Sequence, residues 1–125
     1  MNPILIVDDE FLIRYTLEEG LKDRGYDAYS AATVEEGLEF VRKYHPGVLL
    51  LDNLPENSVG MDEIVNFKNA DEELQVIMMT AYGSVSQAVE ATKRGAYDYI
   101  LKPFDVDEID MLIKRCLEQK RNRDS

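Results

Sequence analysis

Short apolar runs recur along the chain, and each is followed by a stretch with helical periodicity. The runs are ILIV from Ile4, DAYSA from Asp27, VLLL from Val48, VIMM from Val76 and YDYIL from Tyr97. Three of them are continuously apolar, which is typical of parallel strands covered on both faces. The run at Asp27 is more polar, which predicts an edge strand.

Helical patterns occupy the intervals between these runs. Thr33 with Glu36 and, later, Ser84 with Gln87 have the spacing of capping boxes, which predicts helix starts. Apolar residues then recur every three or four positions, which predicts one buried face per helix. The predicted core-facing residues are Ile13, Leu17, Gly20 and Leu21; Val34, Leu38 and Val41; Met61, Ile64, Val65 and Phe67; Ala88, Val89, Ala91 and Thr92; and Val106, Ile109, Leu112, Ile113, Cys116 and Leu117.

Five strand–helix units predict an α/β fold with a parallel sheet and right-handed crossovers. The expected architecture is a flavodoxin-like three-layer sandwich with strand order 2-1-3-4-5 and five helices. In such sheets the site lies beyond the carboxyl ends of the strands, where the strand order reverses. We expect residues 1–119 to form one domain, and residues 120–125 to be a basic helix end or the start of a linker.

Composition narrows the class of protein. The 125 residues are 45% apolar and 31% charged, an ordinary globular balance. Neither a membrane-spanning apolar run nor a signal pattern is present, which predicts a cytoplasmic chain without membrane contact. One cysteine and one histidine exclude an internal disulfide and a multi-histidine metal site. A net charge of −11 argues against direct nucleic-acid contact and permits a bound cation or a basic partner.

Polar residues follow four strands that the predicted order makes neighbours. Asp8 and Asp9 follow the first strand, Asp52 the third, Thr80 the fourth and Lys102 the fifth. Clustered carboxylates repel one another, and Mg²⁺ with its preference for oxygen ligands would relieve this repulsion. Lys102 could pair with Asp52 or with a phosphoryl oxygen. A carboxylate so placed can attack phosphorus and form an aspartyl phosphate, with Thr80 donating a hydrogen bond to the group.

The motifs ILIVDDE, VLLLD, VIMMTAYG and GAYDYILKPFD together resemble the receiver domain of bacterial two-component response regulators. The resemblance covers essentially the whole chain. The stretch MTAYGSVSQAVEATKRGAYDYILKPFD is most similar to receivers of the nitrogen-regulation type. These often precede an ATPase that activates an alternative sigma factor. A signalling switch is therefore expected, with a transcriptional output and no enzymatic activity beyond its own phosphorylation and dephosphorylation.

The resemblance also implies residue roles. Asp52 would accept the phosphoryl group from a histidine kinase or phosphotransfer protein. Asp9 would bind Mg²⁺ (or Mn²⁺) directly, and Asp8 directly or through water. Thr80 and Lys102 would contact the phosphoryl group.

Further roles concern the switch. Tyr99 would be the aromatic side chain that turns inward on phosphorylation, and the peptide bond from Lys102 to Pro103 would be cis, which is energetically easy before proline. Helix 4, strand 5 and helix 5 would form the output face, used for a homodimer or for partner docking.

One loop departs from the family pattern. Gly60 is in register, but Pro55 comes three residues after Asp52 instead of four. The backbone carbonyl of Leu54 would normally complete the metal site, and Pro55 restricts Leu54 to extended conformations. Asn53 is an alternative ligand. The Mg²⁺ affinity and the lifetime of the phosphoryl group depend on this loop.

Other functions remain open at this point. A phosphatase or phosphotransferase of the aspartyl-phosphate type usually has a second aspartate two residues after the nucleophile, and Leu54 occupies that position. A receiver-like interaction module with impaired phosphorylation is favoured only by the altered loop at residues 53–59. A stand-alone phosphorelay shuttle is a further alternative. A flavin-binding domain is disfavoured, since no phosphate-cradling loop follows the first strand.

Overall fold

Strands and helices alternate along the described parts of the chain, residues 3–52, 59–81 and 85–124 of a computed structural model. The five strands are β1 (Ile4–Val7), β2 (Ala28–Ala31), β3 (Val48–Asp52), β4 (Gln75–Thr80) and β5 (Asp98–Leu101). The helices are α1 (Phe11–Asp23), α2 (Val34–Tyr44), α3 (Val59–Ala70), α4 (Val85–Lys93) and α5 (Val106–Asp124). The helical backbone of α5 thus runs through residues 120–124, and a domain boundary at residue 119 stays a prediction.

The strands form one parallel sheet in the order β2-β1-β3-β4-β5. This confirms the predicted fold class and strand order. The strand order reverses at β1, which lies between β2 and β3. The carboxyl ends of β1, β3, β4 and β5 therefore lie side by side, and β2 is an edge strand as its polar sequence predicted.

Two apolar layers cover the faces of the sheet. Alternation along each strand sends neighbouring residues to opposite faces. In β1, Leu5 packs in the layer with residues of α2, α3 and α4, whereas Ile4 and Ile6 pack in the layer with α1 and α5. In β4, Ile77 joins the layer of α1 and α5. Because both faces are covered, β1, β3 and β4 are buried along their whole length.

Side chains at the helix starts satisfy backbone N–H groups that have no partner within the helix. The Thr33 cap is confirmed, since its Oγ1 accepts a hydrogen bond from the Glu36 N–H at 3.2 Å. A capping box absent from the sequence prediction starts α5, where Asp105 Oδ1 accepts from the Glu108 N–H at 2.9 Å. The predicted box at Ser84 lies outside the described residues.

Three of the residues predicted to face the core do not do so, because Val65, Val89 and Thr92 are exposed. Val65 is 44% exposed and Val89 is 47% exposed. Each residue turns a helix by 100°, so only a limited arc can face the sheet. Ile64 and Phe67 fill that arc in α3, and Ala91 fills it in α4, which leaves both valines pointing to solvent.

A polar cluster ties the segment before β2 to α5. The Tyr26 hydroxyl donates to Asp110 Oδ1 at 2.6 Å, and Lys114 Nζ donates to Asp110 Oδ2 at 3.2 Å. Arg24 forms an ion pair with Asp107 of the same helix. Burial by itself would raise the pKa of Asp110, but the bonds from Tyr26 and Lys114 hold this pKa below its ordinary value. The cluster fixes α5 against the sheet independently of its apolar face.

Gly37 marks a close approach of α2 to the sheet. A Cβ atom at this position would lie 2.8 Å from Val7 Cγ2 and 3.2 Å from Phe67 Cζ. Alanine is favoured over glycine inside a helix by about 1 kcal/mol, but overpacking a well-filled core costs about 1–3 kcal/mol. Since Val7 is stiff and buried, we expect Gly37→Ala to lower the free energy of unfolding by up to about 2 kcal/mol in urea denaturation.

A double-mutant cycle supplies the control. In a Val7→Ala background the closest of these contacts is removed, so Gly37→Ala should there lower the stability less than in the wild type, or raise it. A single Gly37→Ala variant that is more stable than the wild type would contradict the close-approach interpretation.

Candidate functional site

The ends of four adjacent strands bring the predicted site residues together. Asp8, Asp52 and Thr80 are buried at the ends of β1, β3 and β4. Lys102 follows β5 and is half-buried, while Asp9 is exposed. A backbone hydrogen bond of 2.7 Å from the Lys102 N–H to the Thr80 carbonyl oxygen holds the ends of β4 and β5 together.

The ammonium group of Lys102 bridges two carboxylates. Its Nζ lies 2.7 Å from Asp52 Oδ1 and 3.2 Å from Asp8 Oδ2. Both carboxylates are buried, and the Lys102 side chain is only 16% exposed. Low exposure strengthens these charge-assisted bonds, since water screens them weakly. One cation thus compensates the charge at the ends of both β1 and β3.

Asp8 is held from three directions. Its Oδ1 accepts a hydrogen bond from the Glu10 N–H at 2.8 Å, while its Oδ2 contacts Lys102. Its backbone carbonyl accepts a bond of 2.7 Å from Arg14 Nη1. The sequence prediction missed Arg14, because its reach back to Asp8 depends on how α1 packs and follows no motif.

Acidic oxygen atoms cluster after β1. One carboxylate oxygen from each of Asp8, Asp9 and Glu10 lies within 4.8 Å of the others. Such hard oxygen donors are the ligands that Mg²⁺ prefers, so these residues fit the expected metal. Glu10 extends the pair of aspartates that the sequence predicted. The predicted contributions of Leu54 and Asn53, and the effect of Pro55, fall outside the described residues.

Burial and neighbouring charges shift the pKa values of Asp52 and Lys102. Burial raises the pKa of Asp52, and the negative charges of Asp8 and Asp9 raise it further, against the opposing bond from Lys102. Burial by itself would lower the pKa of Lys102, but its bonds and charge interactions with Asp52 and Asp8 raise it above its ordinary value. The site thus holds a basic carboxylate beside a firmly protonated lysine.

The remaining predicted residues lie around this centre. The Lys102–Pro103 peptide bond is cis. Tyr99 is half-buried and packs against the apolar layer of α2, α3 and α4. Ala81, directly after β4, is exposed and lines the same groove as Lys102.

A groove of about 680 Å³ runs from this centre along α1. Lys102 and Glu10 lie in its wall, together with apolar side chains that include Leu12, Ile13 and Phe104. Leu12 is exposed, as are Phe11 and Tyr15 on the same helix. A surface with an apolar groove beside a charged centre is suited to a protein partner.

The fold and the site define a class. A five-stranded parallel sheet of this order defines a doubly wound α/β domain. The acidic pocket and Lys102 lie beyond the carboxyl ends of the strands, where such domains bind ligands. The family model for the response regulator receiver domain matches residues 4–114. The chain belongs to this family, the receiver domains of two-component response regulators, as its motifs predicted.

Individual relatives agree with this assignment. The chain is 39% identical over 119 residues to sporulation initiation phosphotransferase F of Bacillus subtilis, covering 95% of this chain and 96% of that protein. It is 36% identical over 124 residues to the nitrogen assimilation regulatory protein NtrX of Azorhizobium caulinodans, which bears out the predicted similarity to nitrogen-regulation receivers. There the match covers 98% of this chain but only 27% of NtrX, so the chain spans about a quarter of that regulator.

A solved structure gives the same fold. The CheY-like receiver domain protein from Methanospirillum hungatei superposes with a TM-score of 0.89 at 29% identity, covering 98% of both chains. Among the described residues, no helix combines the length and the apolar character needed to cross a membrane.

The raised pKa of Asp52 makes a stability prediction. The ionised carboxylate of Asp52 opposes folding, and this penalty is largest above the pKa of Asp52 in the folded state. As the pH falls through this raised pKa towards the ordinary pKa of aspartate, the penalty disappears. We therefore expect Asp52→Asn to unfold at higher urea concentration than the wild type at neutral pH with a chelator present. The difference should shrink on acidification.

Lys102→Ala is the contrasting variant. It leaves the carboxylates of Asp8 and Asp52 without their cation. The free energy of unfolding should therefore fall, since the loss of hydrogen bonds to charged groups costs about 1.5–3 kcal/mol.

Mg²⁺ should stabilise the wild type more than Asp52→Asn, because fewer anionic ligands remain in the variant. An Asp52→Asn protein less stable than the wild type at neutral pH would show that the carboxylates do not repel as described.

Proposed function

We propose that this receiver domain accepts a phosphoryl group on Asp52 from a phosphohistidine of a sensor histidine kinase or phosphotransfer protein. The observation that supports this most directly is the pair of contacts from Lys102 Nζ to Asp52 Oδ1 and Asp8 Oδ2. A buried carboxylate with a raised pKa is a stronger nucleophile than an exposed one once it is ionised. The position of Asp52 at the carboxyl end of β3 places it beside Lys102 and Asp8, where the proposed transfer would occur.

In the transfer, an oxygen of Asp52 forms a bond to phosphorus while the bond from phosphorus to the donor histidine nitrogen breaks. The products are an acyl phosphate on Asp52 and a free histidine on the donor. Lys102 moves from pairing with the carboxylate to pairing with a phosphoryl oxygen, and the Thr80 hydroxyl donates to another. The domain acts as a phosphoacceptor and promotes only its own phosphorylation and dephosphorylation.

Mg²⁺ or Mn²⁺ would be held by Asp8, Asp9 and Asp52, with the Leu54 carbonyl as a further ligand. When bound, the ion would supply positive charge that neutralises the transferring phosphoryl group. Receiver domains generally bind Mg²⁺ at an acidic pocket, and the oxygen cluster at Asp8, Asp9 and Glu10 is such a pocket.

The groove along α1 offers a binding surface for the phosphohistidine-bearing partner next to Lys102. A phosphohistidine carried on a helical partner must bring its phosphorus to Asp52, and the exposed Phe11, Leu12 and Tyr15 offer apolar contacts next to that point. Apolar anchors close to a reacting centre provide binding energy that orients the reacting atoms.

Phosphorylation is proposed to shift the population between two conformations that differ in α4, β5 and α5. Tyr99 and Thr80 would carry the change from the site to that face. Val89 of α4, Leu101 of β5 and Met111 of α5 are apolar and exposed, which suits a homodimer or a docked effector. We place the output in transcription, as for the regulators to which the chain is similar.

A phosphorelay role is a second candidate. It is favoured by the similarity to phosphotransferase F of B. subtilis, nearly all of which the chain matches. A relay protein would pass its phosphoryl group to a histidine of another protein, whereas a transcriptional switch would retain it. Transfer from labelled protein to an isolated histidine phosphotransfer domain separates the two roles.

The phosphoacceptor is tested by intact mass after incubation with acetyl phosphate. One added phosphoryl group is expected with Mg²⁺ and none with a chelator, and peptide mapping should place it on Asp52. Asp52→Ala should abolish the label. Asp23→Asn, an exposed carboxylate at the far end of α1, should label like the wild type.

Full labelling of Asp52→Ala would overturn the acceptor assignment. A wild-type chain that stays unlabelled both with acetyl phosphate and with phosphorylated histidine donors would favour the interaction module instead.

Lys102 is expected to couple labelling to the conformational change. In Lys102→Ala, acetyl phosphate should still label Asp52, but the backbone amide shifts in α4 and β5 that accompany labelling should be lost, because no ammonium contacts the phosphoryl group. Lys43→Ala removes an exposed lysine of α2, away from the proposed output face, and serves as the control. Wild-type shifts in labelled Lys102→Ala would show that another residue carries the coupling.

A further inference from the structure

A second cleft lies at the opposite end of the sheet, where β4 and β5 begin. Its volume is about 480 Å³, within the range of small-molecule sites. It is lined by Gln75 at the start of β4, Tyr97 just before β5, Thr92 of α4 and Gln119 of α5. We call it the lower cleft. The phosphoacceptor site lies at the carboxyl ends of the same strands, so the two sites do not overlap.

Gln75 is the unusual residue of the lower cleft. Its side chain continues the face of β4 that carries Ile77 and Met79, and the residue is only 7% exposed. Its backbone N–H donates to the Gly47 carbonyl at 3.1 Å, but its side-chain amide makes no hydrogen bond within the described structure. The amide is not sealed from solvent, because neither of its polar atoms is a fully buried group without a partner. Its oxygen and nitrogen are therefore available for hydrogen bonds within the cleft that the residue lines.

The neighbouring groups add hydrogen-bonding capacity without charge. The Tyr97 ring is half-buried and its hydroxyl remains protonated, because burial raises its pKa. The Thr92 hydroxyl donates to the Ala88 carbonyl at 3.0 Å, which leaves its lone pairs able to accept. Gln119 contributes a second amide at the rim.

Charged ligands do not suit this cleft. None of its described lining residues is acidic, although the chain carries 25 acidic residues, so a cation would find no counter-charge. The only basic lining residue is Lys68, whose Nζ already donates to the carbonyl oxygens of Glu72 and Leu74 at 2.8 Å each. The lining therefore favours a neutral ligand over an anion.

We propose that the lower cleft binds a small, uncharged, planar ligand that presents a hydrogen-bond donor and an acceptor side by side. This is the chemistry of a nucleobase edge and of a carboxamide. The Gln75 amide offers the complementary pair, since its oxygen accepts and its nitrogen donates, and glutamine pairs with the adenine edge in this bidentate way. Tyr97 and Thr92 then supply a further donor and acceptor.

The test uses ¹⁵N-labelled, unphosphorylated protein with a chelator present. Adenosine, uridine and nicotinamide are titrated separately, and the side-chain amide of Gln75 and the backbone amides of Gly95, Ala96 and Tyr97 are followed by NMR. At least one probe should give saturable shifts confined to these signals. Response to either nucleoside indicates a nucleobase site, and response to nicotinamide alone indicates a carboxamide site.

Gln75→Leu keeps the volume and removes the amide. It should weaken binding by about tenfold or more, the loss expected for one bidentate pair. Asn66→Leu, which removes an exposed amide of α3, should bind like the wild type. The remaining amide spectrum of each variant reports whether the fold is intact.

Absence of saturable shifts with all three probes would overturn the proposal and leave a hydrated cleft. Shifts that persist unchanged in Gln75→Leu would overturn it equally. Since the titration involves neither Mg²⁺ nor phosphorylation, its failure would leave the assignment of Asp52 untouched.

Discussion

The contact of one lysine with two buried carboxylates is the interaction on which this site depends. Two strands that are buried along their whole length, β1 and β3, run into acidic residues at their carboxyl ends, and those residues would repel one another without a cation. Lys102 supplies that cation from the end of β5. The strand order makes this possible, because β1, β3, β4 and β5 are adjacent only in a sheet whose order reverses at β1.

The apolar core holds the charged residues at the carboxyl ends of the strands in fixed positions. The apolar layers on both sides of the sheet hold the ends of β1, β3 and β4 in place, so the carboxylates cannot separate to relieve their repulsion. Burial, together with this repulsion, raises the pKa of Asp52, and the site requires positive charge. In the proposed phosphorylation, a change in this charge balance would act on strand ends that cannot relax locally. This would be the physical basis for the proposed change in α4, β5 and α5.

The two ends of the sheet differ in chemistry. At the carboxyl ends, acidic side chains and a lysine form a charged pocket, whereas at the opposite end neutral amide and hydroxyl groups line the lower cleft around Gln75. Asp110 and Tyr26 hold α5 between these two ends. The first residue of α5, Val106, lines the groove beside the charged pocket, and Gln119 of the same helix lines the lower cleft.

The order of strands, the edge position of β2, the Thr33 cap and the set of strand-end residues were all predictable from the sequence, since each follows from a local pattern or from the alternation of elements. The exposure of Val65, Val89 and Thr92, the bond from Arg14 to Asp8 and the position of Gln75 in the lower cleft were not predictable. A periodic pattern marks which residues share a helix face, but the arc that meets the sheet depends on how each helix is rotated. Tertiary packing alone decides that rotation, because it is set by the shapes of side chains distant in sequence.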